Sequence, residues 1–219
     1  VTIAPEEAVG PSGTVLAGDV STAMVEATRQ ATAHLPQVVV EPIDAAEPNL
    51  PAHRADLIAA SLVIFFLPDP ADALRRWVEL LTPTGPLGLA TFGPQDEVWK
   101  SVDALFDPYL PAEMLDARTS GAHSPFAGDE GMVHLMRSAG LPLVENIAET
   151  LTVTFDDVEM WQRWTMSVGQ RRMWGLVPEI ERPEVLARAA MLLETARDED
   201  GLIRLRQGVR YTVGAKVIS

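Results

Sequence analysis

Four short apolar runs between residues 13 and 93 constrain this chain more than any other feature: GTVLAG (13–18), QVVVEPID (37–44), RADLIAASLVIFF (54–66) and PTGPLGLATFG (83–93). The first is bounded by Pro-Ser-Gly on one side and Gly-Asp on the other, the pattern of a strand buried in a parallel sheet, and the others follow it. Helices are expected between them. Ser21 is placed to cap one that runs through Met24, Val25, Ala27 and Thr28 to about His34, where Pro36 stops it. Asp69 caps a second, with Pro70 at its first position and Leu74, Trp77, Val78 and Leu81 as its apolar stripe. Strands alternating with helices in this way specify an α/β fold with a doubly wound, mostly parallel sheet.

Beyond residue 93 the character changes. Residues 95–118 and 129–139 read as helices around the polar link TSGAHSPFAGDEG, and LVENIAETLTVTF alternates enough to be a strand. Two helical stretches follow, DDVEMWQRWTMSVGQRRMW and RPEVLARAAMLLETARDE, before a last strand at VRYTVGAKVI (209–218), expected to be antiparallel. The organisation expected is a core at 1–93, a helical cap and return helix at 94–140, and C-terminal strands at 141–219 with a helical insertion at about 156–200. A chain of 219 residues suits one structural domain built this way.

Composition excludes several classes of function. The formal charge of −14, from 31 acids against 17 bases, repels a polyphosphate backbone, so nucleic acid is not an expected partner. There is no cysteine, which removes disulfides, thiolate metal sites and cysteine nucleophiles, and is compatible with a cytoplasmic location. No histidine pair at ligand spacing and no calcium-loop pattern occurs, so no metal is expected. The longest apolar stretch, LIAASLVIFFLP at 57–68, is too short to span a bilayer. An acidic surface is compatible with a monomer or a homodimer.

Chemistry is expected where ligands bind in such sheets, beyond the carboxyl ends of the strands. Asp19 stands at the end of the first run, where a carboxylate can accept hydrogen bonds from both ribose hydroxyls of an adenosine cofactor; the same position also suits an ordinary turn acid. The order of segments, GTVLAGDVSTAMVEAT, then VVVEPIDAAEPNLP, then ADLIAASLVIFFLPDPADALRRWVELLTPTGPLGLATFG, resembles the class I S-adenosylmethionine-dependent methyltransferases, in particular their small-molecule, type-11-like branch. The resemblance is close over residues 1–93 and loose after that.

The resemblance implies S-adenosylmethionine as cofactor and a small-molecule methyl acceptor attacked in line through oxygen, nitrogen or carbon. It places Asp19 and Val20 at the ribose, Met24 against the adenine or ribose, Asp44 at the adenine amino group, Ala45 at the ring through its N–H, and Ala60 and Ser61, at the end of the family's fourth strand, beside the methionine part. Phe65 and Phe66 stand where many relatives carry two histidines; they cannot move protons, and line an apolar pocket or pack in the core. Phe92, Trp161 and Trp164 are pocket candidates in the same way, Trp161 and Trp164 sharing one helix face. His123, in SGAHSPF, is the candidate base among four histidines, and His134 is expected to be packed. The family's first strand and glycine-rich loop do not occur in these residues. In dinucleotide folds such a loop precedes the acid by about 20 residues, so both are expected to lie before Val1, leaving open edges on two strands. Alternatives that keep the fold are a cyclase-like protein without methyl transfer and a non-catalytic binding protein; a nicotinamide dehydrogenase shares the acid but not the Asp44-Ala45 and FFLPDP segments.

Overall fold

The structure, a computed structural model, describes residues 9–111 and 124–217, and its first elements form where the apolar runs place them. Strand β1 (Val15–Asp19) pairs in parallel with β2 (Val38–Pro42), in a register from Val15 opposite Val38 to Asp19 opposite Pro42. Helix α1 (Thr22–Ala31) connects them, started by the Ser21 hydroxyl accepting from the Met24 N–H. It stops short of His34 because the Thr32 hydroxyl and N–H both turn back to the Thr28 carbonyl. From its last turn Arg29 donates two hydrogen bonds to the Val40 carbonyl, at 2.9 and 3.1 Å, fastening the helix to β2.

The third run holds a short strand that ends at Ser61. Strand β3 covers only Ile58–Ser61, because Leu62 takes a left-handed backbone (φ 55°) that no strand can continue, and Ile64–Phe66 then form a 3-10 turn. Helix α2 (Pro70–Leu80) follows, capped by Asp69 at 2.9 Å from the Asp72 N–H, with Ala73, Leu74 and Trp77 buried. Strand β4 (Leu87–Gln95), helix α3 (Glu97–Asp103) and a 3-10 turn at Ala104–Tyr109 come next; Pro108 prevents that turn from extending the helix. Helix α4 (Asp129–Ser138), strand β5 (Leu143–Phe155), helices α5 (Val158–Thr165), α6 (Arg171–Leu176) and α7 (Arg182–Glu194), and strand β6 (Ile203–Ala215) complete the described chain. The stretch 156–174 is two helices rather than one: the Thr165 and Ser167 hydroxyls bond back to the Gln162 and Trp164 carbonyls and end α5 early.

The fold is the expected α/β type, a mostly parallel arrangement with an antiparallel last strand. Strands pair in the orders β1-β2 and β3-β4-β6-β5. Among the described residues β1 pairs with β2 alone and β3 with β4 alone. No described helix is long and apolar enough to cross a membrane.

Packing divides the chain into two compact units in space rather than in chain order. One is formed by the described residues to Leu89, with Val133–Glu145 and those from Val213 onward; the other by the described residues of Ala90–Met132 and Asn146–Thr212. The expected segments 94–140 and 141–219 are therefore each shared between units. In the first, Ile64, Leu74, Trp77, Leu81, Leu87, Met136 and Leu141 are buried. In the second, Phe106, Phe155, Trp161, Trp174, Leu193 and Leu205 are the centre of the core. The buried Arg210 guanidinium there bonds Asp129 at 2.6 Å and the Phe126 carbonyl at 3.0 Å, which fixes the start of α4.

The turn before β6 carries a perturbed carboxylate. Arg204 clasps Asp198 and Asp200, and hydrogen bonds from its guanidinium, then from the Leu202 N–H, hold the Asp200 carboxyl at about 2. A carboxyl depressed in the folded state stabilises it above the ordinary range of about 4 and loses that contribution as pH falls toward 2. The Asp200 side-chain resonance is therefore expected to titrate near pH 2, and to move up into the ordinary range in Arg204→Gln; a carbon-detected NMR titration reads both.

Candidate functional site

The tips of β1 and β2 bring the two leading acids together. The register sets Asp19 opposite Pro42, and the Ile43 N–H then donates to the Asp19 carbonyl at 3.2 Å, so Asp44 follows immediately at the same sheet end. Gly18 is required for this closeness: a Cβ there would sit 2.7 Å from Ile43 side-chain carbons. Both carboxylates are exposed, and each is oriented by one local bond. Asp19 Oδ1 accepts from the Ser21 N–H at 2.8 Å, and Asp44 Oδ1 accepts from the Ala46 N–H at 2.8 Å. The second oxygen of each has no partner among the described residues.

Trp77 holds the Asp44 loop in place. Its buried indole N–H donates to the Ala45 carbonyl at 2.7 Å, from α2 to a residue 32 positions earlier. The Ala45 N–H has no acceptor among the described residues, so it remains available as a donor. Beside these polar groups stand apolar side chains in water: Val20 is 73% and Met24 54% exposed. Met24 is thus not packed between helix and sheet. The arrangement offers two carboxylate oxygens, one backbone donor and bare apolar surface at one end of a parallel strand pair, a set that suits a ligand with hydroxyl or amino donors and a flat ring.

The end of β3 carries Ala60 and Ser61, followed by the left-handed Leu62. A leucine at positive φ is strained backbone, of the kind that collects at ligand sites, and nothing in its sequence signals it. Phe65 and Phe66 lie on the 3-10 turn beyond, their ring centroids 4.7 Å apart, and Phe66 is 70% exposed. Phe66 is accordingly not a core residue.

In the second unit Trp161 is 1% exposed, against Trp174 at 6.1 Å, whereas Trp164 is half-buried against Trp99 and Phe155. Phe92 is half-buried on β4. His123 lies outside the described residues. His134 is exposed on α4, contrary to the packed position expected, because Met132, Leu135 and Met136 occupy the inward face. His53 sits at positive φ with Nδ1 3.2 Å from the Leu81 carbonyl. No group of three acidic or histidine side chains among the described residues is placed to hold a metal ion.

Residues 2–87 match the family model described as a methyltransferase domain. The chain is 32% identical to nocamycin O-methyltransferase of Saccharothrix syringae, over 95% of this chain and 78% of that one. The chain belongs to the class I S-adenosylmethionine-dependent methyltransferases. A second methyltransferase, the aklanonic acid methyltransferase DauC of a Streptomyces species, is 30% identical over half of this chain, and the match spans about half of that protein's length. Among solved structures, the YcgJ protein of Bacillus subtilis superposes with a TM-score of 0.60 at 15% identity, covering 94% of this chain and 83% of its own. The methyltransferase is thus an enzyme of this family whose methyl donor is S-adenosylmethionine.

Proposed function

We propose that this methyltransferase transfers a methyl group to a hydroxyl of a small natural-product acceptor, with Asp19 and Asp44 holding the adenosine half of the cofactor. The adjacent carboxylates at the tips of β1 and β2, each with an oxygen to spare, carry this proposal. S-Adenosylmethionine, when bound, supplies a methyl group activated by its sulfonium. Asp19 accepts the ribose hydroxyls through charge-assisted hydrogen bonds, and Val20 stands beside it. Asp44 takes the adenine amino group, the Ala45 N–H donates to the ring, and Met24 covers a ring face. Ala60 and Ser61 lie along the methionine part, small enough to leave it room. Phe65 and Phe66 supply apolar surface that keeps water from the reacting end. The chain's task is to hold the acceptor in line, since alignment alone removes much of the barrier. An oxygen acceptor is favoured by the relative named as a nocamycin O-methyltransferase.

The test is incubation with methyl-labelled S-adenosylmethionine and a panel of hydroxylated aromatic and carboxylic small molecules, read by mass spectrometry for labelled product and S-adenosylhomocysteine. Labelled methyl ether is expected. Tight cofactor binding with no transfer to any hydroxyl in the panel would count against this acceptor class.

Trp77 gives a second check. Trp77→Phe keeps the buried ring but removes the hydrogen bond to Ala45, worth about 1 kcal/mol. Cofactor affinity is expected to fall about fivefold as the Asp44 loop loosens, with little change in melting temperature; titration calorimetry and a thermal melt measure the two.

A further inference from the structure

Helices α5 and α7 form a groove of about 470 Å³ that lies wholly within the second unit, a volume that suits a small-molecule ligand. Its floor is apolar: Val158 from α5, and Pro183, Leu186, Ala187 and Ala190 from α7. The four α7 positions fall at i, i+3, i+4 and i+7, which is one face of a helix. That face is turned away from the core, which takes Val185, Ala189 and Leu193 instead. A helix apolar on both faces is ordinarily covered on both. Here the second face stays bare among the described residues: Pro183 and Ala187 are exposed, and Met191, one turn on from Ala187, is 74% exposed.

Charge at the rim decides what fits. Arg197 is the one cation among the lining residues, and it is engaged. Its Nε and Nη2 donate to Glu194 at 2.7 and 2.6 Å, and Nη1 donates to the Asp156 carbonyl at 3.2 Å and to the Gly201 carbonyl. Glu194 is thereby neutralised, whereas Asp157 and Glu159, in the same lining, are not. Asp157 Oδ1 caps α5 by accepting from the Met160 N–H at 2.6 Å, and its other oxygen has no partner among the described residues. The Glu159 carboxylate and the half-buried Gln162 amide have none there either. The half-charge of the α5 N-terminus offsets only part of two full negative charges. We infer that this groove binds a molecule with an apolar body and an ammonium group, the body laid on the α7 face and the cation held by Asp157 and Glu159. The groove shares no residue with the proposed cofactor contacts, and the inference does not depend on the identity of the methyl acceptor.

A matched pair of probes separates charge from apolar contact: 4-phenylbutylammonium and 4-phenylbutyrate have similar bodies and opposite charges. In the full chain labelled with nitrogen-15, the Gln162 side-chain NH2 signals are assigned by their loss in Gln162→Met. Phenylbutylammonium is expected to shift them saturably, and phenylbutyrate to bind about tenfold more weakly, since two attractions at a half-exposed rim become repulsions. The double variant Asp157→Asn, Glu159→Gln keeps an N-cap on α5 and removes both charges. It is expected to bind the ammonium about fivefold more weakly and to lose most of the preference between the probes. Ala187→Phe fills the groove from an exposed position, and is expected to abolish the Gln162 shift without lowering the melting temperature. A Gln162 signal that phenylbutylammonium leaves unmoved, or that phenylbutyrate moves with equal affinity, overturns the inference. So does undiminished ammonium binding in Ala187→Phe, which would trace the attraction to the acidic surface as a whole. The titration needs neither cofactor nor turnover, so its failure leaves the proposed methyl transfer standing, and failure of methyl transfer leaves the groove measurable.

Discussion

Asp19→Ala is expected to weaken S-adenosylhomocysteine binding about a hundredfold while leaving the protein folded. Two hydrogen bonds from ribose hydroxyls to one carboxylate contribute about 1.5 kcal/mol each, together about 3 kcal/mol, which is close to two orders of magnitude in affinity. The structural cost is small. The carboxylate is exposed and makes one local bond, to the Ser21 N–H, while the Gly18–Ile43 contact and the β1–β2 ladder that place it do not involve the side chain. Calorimetry should therefore show the loss of affinity, and a melt without ligand should show a shift of no more than a few degrees. Asp44→Ala, removing one bond to the adenine amino group, is expected to cost about tenfold. Equal affinity in wild type and Asp19→Ala would remove Asp19 from the site.

Trp161→Ala is expected to destabilise the protein by about 3–5 kcal/mol, the range for deleting a fully buried aromatic ring. Its ring lies in a cluster where Trp174 stands at 6.1 Å and in turn meets Phe106 edge-on at 4.9 Å. The hydrogen bond from Trp174 Nε1 to the buried Thr165 hydroxyl, 3.0 Å, fixes the cluster and leaves little freedom to collapse into the gap. Trp164→Ala should cost distinctly less, since that ring retains exposed surface. Urea denaturation of both variants measures the difference. The comparison matters for function because both tryptophans share one helix face and both were candidates to line a pocket. A loss of activity in Trp161→Ala would follow from unfolding alone, whereas the same loss in a stable Trp164→Ala would report on the acceptor.

The elements legible in the sequence are those written in local chemistry. Ser21 and Asp69 cap the helices they were expected to cap, and Asp19 and Asp44 fall at adjacent strand tips because parallel runs of similar length align their ends. Strand β6 was expected from Val209 but begins at Ile203; Ile203, Leu205 and Gln207 alternate inward, and the charged Arg204 and Arg206 between them disguised the period of two. The resemblance puts Ser61 at the end of β3, where it falls, but the left-handed backbone of Leu62 that stops the strand was not legible, with no glycine or asparagine to announce it. Nor was the bond from Trp77 to Ala45, which joins residues 32 apart that only the packing of α2 brings together.

The central claim, that Asp19 grips the ribose, is tested most directly by a thermodynamic cycle between protein and ligand. S-Adenosylhomocysteine and its 2′-deoxy analogue are titrated into wild type and Asp19→Ala. The wild type is expected to lose about tenfold in affinity for the deoxy analogue, and Asp19→Ala to bind the two equally. The same deoxy penalty in both proteins would show that the carboxylate never touches the sugar, and would contradict the assignment.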